Sequence, residues 1–274
     1  MATLQEISDM FWRTGKFLEH QLFIRYRKGR GIHSPYLFEF VHDVVFNAAG
    51  MEPPDWLTEE HRAMLGDTRV IPADRRGSFG TGSGERDRAG ERTVRSFVRG
   101  SSVSRKYGAL LYRISRWFSP EMIVELGTGL GVSTLYLAAG APGVPLHSME
   151  GDMERAAIAA QLMCRRNLEG VSIHWGELER KLEDLLPQVP GRFLAFLDAN
   201  HRYEPTLRYA GLLLERAGGE AILVMDDIHW SREMYRAWKE VISWPEVRMS
   251  IDLFHMGILL LRKDLQKRNV KINY

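Results

Sequence analysis

The residues best suited to acid–base or metal chemistry are three aspartates and a histidine in the C-terminal half. Asp198 follows one apolar run, Asp226 and Asp227 follow another, and His201 lies three residues after Asp198. Histidine titrates near neutral pH and is a common general base. Three carboxylates suit a hard cation such as Mg²⁺ or Ca²⁺. The alternatives are that some of the aspartates cap helices or hold water, and that His201 makes a hydrogen bond in a surface loop.

A glycine turn is the second feature with chemical meaning. Gly127, Gly129 and Gly131 alternate with other residues between the apolar run Met122–Leu126 and a helix predicted from Val132. Glycine permits positive φ and a close approach to a ligand, and a helix N-terminus favours an anion. The spacing is not the dinucleotide pattern G-x-G-x-x-G, because Val132 directly follows Gly131. A generic turn of an α/β domain remains the alternative.

Acidic and hydroxyl side chains accompany this turn. Glu150 ends an apolar run nineteen residues after the last turn glycine. A carboxylate there accepts hydrogen bonds from a ribose diol or from a helix end. Ser133 and Thr134 stand where a helix N-terminus could hold a carboxylate. Glu177 follows Gly176 and is either a contact for adenine or an exposed loop acid.

The elements that position these residues alternate between strand and helix patterns from residue 104 onward. This alternation predicts an α/β domain with a doubly wound, mostly parallel sheet, in which ligands bind at the carboxyl ends of the strands. The segment 247–253 alternates apolar and polar residues and returns through 258–261, which predicts an antiparallel C-terminal hairpin. The other predicted strands are Met122–Leu126, Val144–Met149, Val171–Trp175, Phe193–Leu197 and Ala221–Met225.

The N-terminal part is predicted to be helical and then irregular. Apolar residues at spacings of three and four predict one or two amphipathic helices over 4–27. The basic cluster Arg25–Arg30 is either a solvated helix end or an anion contact. The segment 74–101 is rich in glycine and arginine and is predicted to be a loop, either a lid or disordered.

Composition excludes several classes of protein. The chain has 274 residues, 45% of them hydrophobic, and a net charge of +2, which does not mark a dedicated nucleic-acid binder. Its single cysteine, Cys164, excludes an internal disulfide and a cysteine-based zinc site and is expected to pack in the core. This cysteine usage fits a cytoplasmic location, and no stretch is apolar for long enough to span a membrane.

The motifs together resemble the class I S-adenosylmethionine-dependent methyltransferases, and Met256–Leu260 fits the reversed last strand of that family. The segment from Tyr107 onward is similar to the catechol and caffeoyl-CoA O-methyltransferase type. Three further motifs are similar to an uncharacterised group of bacterial methyltransferases that is common among Bacteroidetes: Gly31–Pro35, Asn200–Tyr209 and Asp226–Ser231. The class resemblance rests on Val124–Thr134, Glu150, Phe196–Asp198 and Val224–Asp227.

The resemblance implies a seven-stranded Rossmann-like sheet in a methyltransferase domain over 104–274, with 1–103 as a helical extension and loop that cover the substrate. It implies catalytic roles for His201 and Asp198, and tentative metal ligands at Asp198, Asp226 and Asp227. Asp227 stands where asparagine is usual, and His201 stands where the O-methyltransferases have lysine. The implied contacts for S-adenosylmethionine are Glu125, Gly127, Thr128, Gly129, Gly131, Ser133, Glu150, Gly176, Glu177 and Asp198.

The sequence therefore predicts methyl transfer from S-adenosylmethionine to a hydroxyl of a small molecule, with Mg²⁺ or another divalent cation as an optional second cofactor. The alternatives are methylation of RNA or protein, and a non-catalytic binding protein that keeps the fold. We expect a small-molecule acceptor as the partner, no nucleic acid or membrane partner, and a homodimer as a possible assembly.

Overall fold

A computed structural model describes residues 4–22, 34–47, 49–72 and 92–274. The chain divides into two compact units, one formed by Gly50–Gln188 and the other by Met1–Ala49 with Val189–Tyr274. The domain boundary predicted at residue 103 stays a prediction. The cluster Arg25–Arg30 lies outside the described residues. Within them, no helix is long and apolar enough to cross a membrane.

The elements follow the chain in the order that the alternation predicts. The helices are α1 Leu4–Leu22, α2 Pro35–Glu39, α3 Asp55–Gly66, α4 Val94–Ser101, α5 Arg105–Phe118, α6 Val132–Gly140, α7 Met153–Arg165, α8 Leu178–Leu185, α9 Tyr203–Arg216 and α10 Arg232–Val241, with a π-helical turn at Phe40–Val45. The strands are β1 Val70–Ile71, β2 Arg92–Thr93, β3 Met122–Leu126, β4 Leu146–Glu150, β5 Val171–Trp175, β6 Phe193–Leu197, β7 Ile222–Met225, β8 Met249–Asp252, β9 Gly257–Leu260 and β10 Arg268–Lys271.

In the unit Gly50–Gln188, β4 lies between β3 and β5, and both pairings are parallel. Every residue of β3 is buried. A short antiparallel ladder of β1 and β2 pairs Val70 with Thr93. Strand β3 is therefore the continuous, buried apolar strand typical of a parallel sheet, whereas β5 has no buried residue.

In the other unit, β6 and β7 are parallel, and β9 is antiparallel to both β7 and β8. The predicted C-terminal hairpin is therefore confirmed. Strand β10 adds a parallel edge next to β8 and was not predicted. Apart from the β1–β2 ladder, the described residues contain eight strands of a mostly parallel α/β fold, where seven were expected.

Side-chain caps explain where several helices begin. Ser34 accepts a hydrogen bond from the Leu37 backbone, directly before Pro35 opens α2. Asp152 accepts from Arg155 N at 3.0 Å at the start of α7. Ser231 accepts from Met234 N at 3.1 Å at the start of α10. The caps at Asp152 and Ser231 were predicted from the sequence.

The prediction of a loop over 74–101 is wrong at its C-terminal end. Thr93 and Ser96 form a reciprocal capping box, and α4 follows over eight residues. Val94, Phe97 and Val98 are buried at the spacing of one helix face. The arginines and Gly100 between them made this stretch resemble a loop. Residues 73–91 lie outside the described part of the chain.

Cys164 is exposed, so the expectation that it packs in the core is also wrong. The preceding residues of α7, Leu162 and Met163, are 3% exposed and occupy the inward face. A helix turns by about 100° per residue, which carries the next side chain towards solvent.

A buried hydrogen-bond network joins α1 to the C-terminal hairpin. Asp252 lies 3.3 Å from His20 Nε2 and 3.0 Å from His229 Nε2, and both histidines are at most 3% exposed. Although burial opposes it, hydrogen bonding to His20 and His229 holds the pKa of Asp252 well below its usual range. His229 also stacks on Phe254, with ring centroids 4.7 Å apart. Asp252, a polar residue of the alternating strand β8, faces the interior because the two imidazoles are hydrogen-bond partners of its carboxylate.

A histidine pair in the other unit makes stability depend on pH. His147 Nδ1 and His174 Nε2 are 2.9 Å apart on neighbouring strands. Burial lowers the pKa of both imidazoles. Since the unfolded chain then binds protons more readily than the fold, the free energy of unfolding should fall as the pH drops below about 6.5.

The variant His174→Gln should flatten this pH dependence and lower the free energy of unfolding by about 0.5–1.5 kcal/mol at about pH 7.5, through loss of one hydrogen bond. Urea denaturation at about pH 7.5 and about pH 5.5 measures both effects. The matched control is Ser172→Ala, an exposed position on the same strand, which should keep the wild-type pH dependence. Identical slopes for wild type and His174→Gln would contradict the assignment.

Candidate functional site

The glycine turn is fastened to the end of β4. Gly127 N and Thr128 N both donate to Met149 O, at 2.9 and 3.2 Å. The Thr128 hydroxyl shares a 2.5 Å hydrogen bond with the Ser148 hydroxyl. These contacts place the turn at the carboxyl end of two parallel strands, where α/β sheets bind ligands.

At two positions of the turn, a positive φ and a close neighbouring side chain both favour glycine. Gly131 has φ +87°, and a Cβ there would lie 2.8 Å from Met163 Cε. Gly129 has φ +54°, and a Cβ there would lie 3.2 Å from Phe97 Cε1. Any larger residue would strain the turn and push it off α7 or α4.

Glu125, at the end of β3, is a carboxylate buried under the turn with 0% exposure. Its Oε2 accepts hydrogen bonds from Thr134 Oγ1 and Ser148 Oγ, both at 2.6 Å. Its Oε1 accepts none from the residues that the structure describes. Burial raises the pKa of Glu125 to about 7, partly offset by the hydroxyls of Ser133, Ser148 and Thr134. A buried oxygen without a donor is costly, and a ligand donor would relieve it.

The N-terminus of α6 lies beside Glu125 and has no side-chain cap. Gly131 occupies the cap position in the left-handed region. Ser133 is 5% exposed and Thr134 is fully buried. The first N–H groups of a helix and its positive dipole end suit a carboxylate, so one ligand with an ammonium and a carboxylate could satisfy both features.

Glu150, at the end of β4, is held from three directions. Its Oε2 accepts from Gly129 N at 2.8 Å, and its Oε1 accepts from Asp152 N at 3.0 Å. Arg155 Nη2 lies 2.9 Å from the same Oε1. Burial nevertheless raises the pKa of Glu150 above its usual value. The contact with a helix start is therefore present, and Glu150 also faces the glycine turn, while its role in binding a ribose stays a prediction.

Gly176 and Glu177 follow β5 beside this carboxylate. Gly176 N donates to Glu150 O at 3.0 Å, which joins the ends of β4 and β5. Glu177 precedes α8 without capping it, and it is exposed. The geometry thus brings Gly176 to the candidate site and leaves Glu177 at a solvent-facing position.

The acidic cluster lies in the other unit, at the ends of β6 and β7. Asp226 N donates to Leu197 O at 2.9 Å, which brings Asp226 next to Asp198. Burial, followed by the charges of Asp198 and Asp227, raises the pKa of Asp226 well above its usual value. The three predicted aspartates are therefore neighbours that repel one another.

His201 stands beside this cluster on strained backbone. Its Nε2 lies 3.4 Å from Asp198 Oδ1, and its Nδ1 is buried without a partner among the described residues. His201, Asn200 and Asp227 have φ of +40°, +62° and +53°, a region that non-glycine residues rarely adopt. Such strain is typical of functional loops.

The aspartates do not form a recognisable metal centre. In the described ranges, no group of three or more histidine, cysteine, aspartate or glutamate side chains is arranged to hold a metal ion. The tentative ligand set Asp198, Asp226 and Asp227 therefore stays a prediction, and no reaction step below depends on it.

Two residues beside the turn were missed by the sequence reasoning. Phe97 of α4 packs against Gly129, and Arg155 of α7 pairs with Glu150. The signal for Phe97 was the Thr93–Ser96 cap before an apolar spacing of three and four. Nothing in the sequence alone connects Phe97 to a turn thirty residues later.

A comparison with protein families matches residues 124–228 to a family described as a methyltransferase domain. This stretch runs from β3 to the residues after β7 and contains the turn, Glu150 and the acidic cluster. The predicted resemblance to methyltransferases is therefore confirmed over these residues, and the predicted domain bounds 104–274 stay a prediction. No curated protein matches the chain.

Solved structures show the same fold at low sequence identity. The chain is similar to the SAH-bound methyltransferase PaMTH1 of Podospora anserina, at 16% identity and TM-score 0.59, with 85% of this chain and 100% of that chain covered. It is also similar to the O-methyltransferase TomG of Streptomyces achromogenes, crystallised with SAM, at 20% identity and TM-score 0.50, covering 60% and 82%. It is similar as well to an O-methyltransferase of Bacillus cereus in complex with SAH, at 16% identity and TM-score 0.54, with 79% of this chain and 96% of that chain covered.

The variant Glu125→Gln should remove a titration from the fold. Because the pKa of Glu125 is raised to about 7, the folded wild type keeps a proton that the unfolded chain releases above about pH 4.5. As the pH rises from about 4.5 to about 8, the free energy of unfolding of the wild type should therefore fall by on the order of 3 kcal/mol relative to that of Glu125→Gln. Urea denaturation across this range measures the difference. Parallel pH profiles for the two proteins would contradict the assignment.

Proposed function

We propose that this methyltransferase domain binds S-adenosylmethionine and transfers its methyl group to a hydroxyl of a small molecule. The observation that carries the proposal is the buried Oε1 of Glu125, which lacks a donor beside an uncapped helix N-terminus. The amino-acid end of S-adenosylmethionine offers an ammonium and a carboxylate, which are the two groups that these features need.

The cofactor contacts follow from the same chemistry. The ammonium donates to Glu125, and the carboxylate accepts from the first N–H groups of α6 and from Ser133. The ribose diol donates to Glu150, whose Oε2 has a single partner among the described residues. Gly127, Thr128, Gly129 and Gly131 supply the close backbone approach, and Gly176 lines the adenine side.

The acidic cluster serves the acceptor in this proposal. S-adenosylmethionine carries a sulfonium that is a strong electrophile, so the protein mainly aligns the acceptor for in-line displacement. The acceptor oxygen bonds to the methyl carbon as the carbon–sulfur bond breaks, and the hydroxyl proton passes to His201. Asp198 lies beside Nε2 of His201, which leaves Nδ1 to receive this proton.

The remaining expectations follow from the sequence. A small molecule is the proposed acceptor, since the net charge of +2 favours no nucleic acid. The single cysteine fits the reducing cytoplasm. A homodimer and a divalent cation stay predictions that the experiments below can include.

Cofactor binding is tested by titrating the chain with S-adenosylhomocysteine, the demethylated product, in a calorimeter. Glu150→Ala should weaken binding about 10-fold to 100-fold, because charge-assisted hydrogen bonds contribute about 1.5–3 kcal/mol. The exposed Glu169→Ala is the matched control and should bind as the wild type does. Unchanged affinity of Glu150→Ala would remove the ribose assignment. Absence of binding by the wild type, to this product and to S-adenosylmethionine, would overturn the proposal.

The base is tested with His201→Gln in an assay of S-adenosylhomocysteine release over a panel of small hydroxyl compounds. The variant should lose about 10²-fold to 10⁴-fold in kcat, the usual contribution of a general base. Its affinity for S-adenosylhomocysteine should stay unchanged, since His201 acts on the acceptor. Full turnover by the variant would exclude His201 as the base. Loss of wild-type turnover on addition of EDTA would support the predicted divalent cation.

A further inference from the structure

Four contacts in the unit Gly50–Gln188 form a closed circuit around Glu150. Phe97 packs against Gly129, where an added Cβ would lie 3.2 Å from its ring. Gly129 N donates to Glu150, and Glu150 pairs with Arg155. The Arg155 guanidinium lies 5.5 Å from the Phe97 ring centroid, within the range of a cation–π interaction, and closes the circuit.

A second guanidinium also lies near the Phe97 ring. The Arg92 guanidinium is 4.7 Å from the ring centroid, so the ring has two cationic neighbours. The ring is 4% exposed, and Ser96 of the capping box that begins α4 directly precedes Phe97 in the chain. The aromatic side chain is therefore held rigidly and can in turn hold its neighbours.

The hydrogen-bond inventory of Glu150 shows what this rigidity achieves. Each carboxylate oxygen has two acceptor positions. Asp152 N and Arg155 fill both positions on Oε1, while Gly129 N fills one on Oε2. Among the described donors, one position on Oε2 is left for a ligand. Two of the three donors, Gly129 and Arg155, are neighbours of the Phe97 ring.

We propose that Phe97 is a positioning residue for the cofactor, acting through Gly129 and Arg155 to present Oε2 of Glu150 to the ribose. This inference rests on the proposed function and extends it to α4, a helix that precedes the methyltransferase-matched residues. Phe97 makes no step of the reaction. Its loss would let Gly129 and Arg155 move relative to Glu150, so that the ribose meets a carboxylate of variable orientation.

The chain offers a matched control on the same helix. Val98 is 3% exposed and Phe97 is 4% exposed, so both are core residues of α4. Each truncation to alanine removes core packing and should lower the free energy of unfolding. Only Phe97→Ala also breaks the circuit around Glu150. The two variants therefore separate positioning of the cofactor from general support of the helix.

The experiment measures S-adenosylhomocysteine affinity by calorimetry and stability by urea denaturation for the full chain. Phe97→Ala should weaken binding at least about 10-fold, and Val98→Ala less than about 2-fold. When Glu150 is already changed to Gln, adding Phe97→Ala should weaken S-adenosylhomocysteine binding less than about 2-fold, because the carboxylate that Phe97 positions is no longer there. Phe97→Leu keeps an apolar contact but loses the aromatic face, so its affinity should fall between those of the wild type and Phe97→Ala. It is the substitute test if Phe97→Ala does not fold.

The outcomes distinguish the inference from the function on which it rests. Wild-type binding with unchanged affinity in Phe97→Ala and Phe97→Leu overturns the inference alone. Equal losses for Phe97→Ala and Val98→Ala also overturn it, since helix packing then explains both. If Phe97→Ala weakens binding as much in the Glu150→Gln variant as in the wild type, Phe97 acts independently of Glu150, and the positioning role is rejected. A wild type that binds no S-adenosylhomocysteine overturns the proposed function and the inference together.

Discussion

The carboxylate of Glu125 is the constraint on which the unit Gly50–Gln188 depends. It is buried with 0% exposure, its pKa is raised to about 7, and one of its oxygens lacks a donor among the described residues. Burying such a group costs free energy, and the fold offsets only part of that cost with hydroxyl groups. A site that keeps an unsatisfied buried acceptor is organised for a ligand that supplies the missing donor, and this trade of stability for binding is common at functional sites.

The surrounding elements extend this arrangement along the strand ends. The turn is fastened to β4 by backbone hydrogen bonds, and its glycines allow α4 and α7 to pack closely against it. Glu150 is oriented by the turn and by Arg155. The second unit carries different chemistry, with three mutually repelling aspartates and a histidine on strained backbone. One unit thus holds carboxylates oriented by fixed hydrogen-bond donors, while the other concentrates three carboxylates and an imidazole.

Most of the fold follows from local signals in the sequence. Strand patterns in the sequence located β3, β5 and β6 correctly, although only β3 and β6 are continuous apolar runs. Asp152 and Ser231 marked helix starts because their side chains accept backbone hydrogen bonds. Where the signals failed, the stabilising contacts are distant in sequence. Strand β10 exists because it pairs with β8, and α4 was obscured by its arginines and glycine although its buried face is regular. Residue types and spacing made Glu125 and Glu150 candidates, and the structure places both beside the glycine turn, whereas the circuit through Phe97 depends on tertiary packing that no motif records.

A crystal structure of the full chain with S-adenosylhomocysteine tests the central claim most directly. The account predicts the ligand's amino group within hydrogen-bonding distance of Glu125 Oε1, its carboxylate at the N-terminus of α6, and a ribose hydroxyl on Glu150 Oε2. Electron density that places the ligand's amino group away from Glu125, or that leaves Glu125 Oε1 without a donor while the ligand is bound, would contradict it.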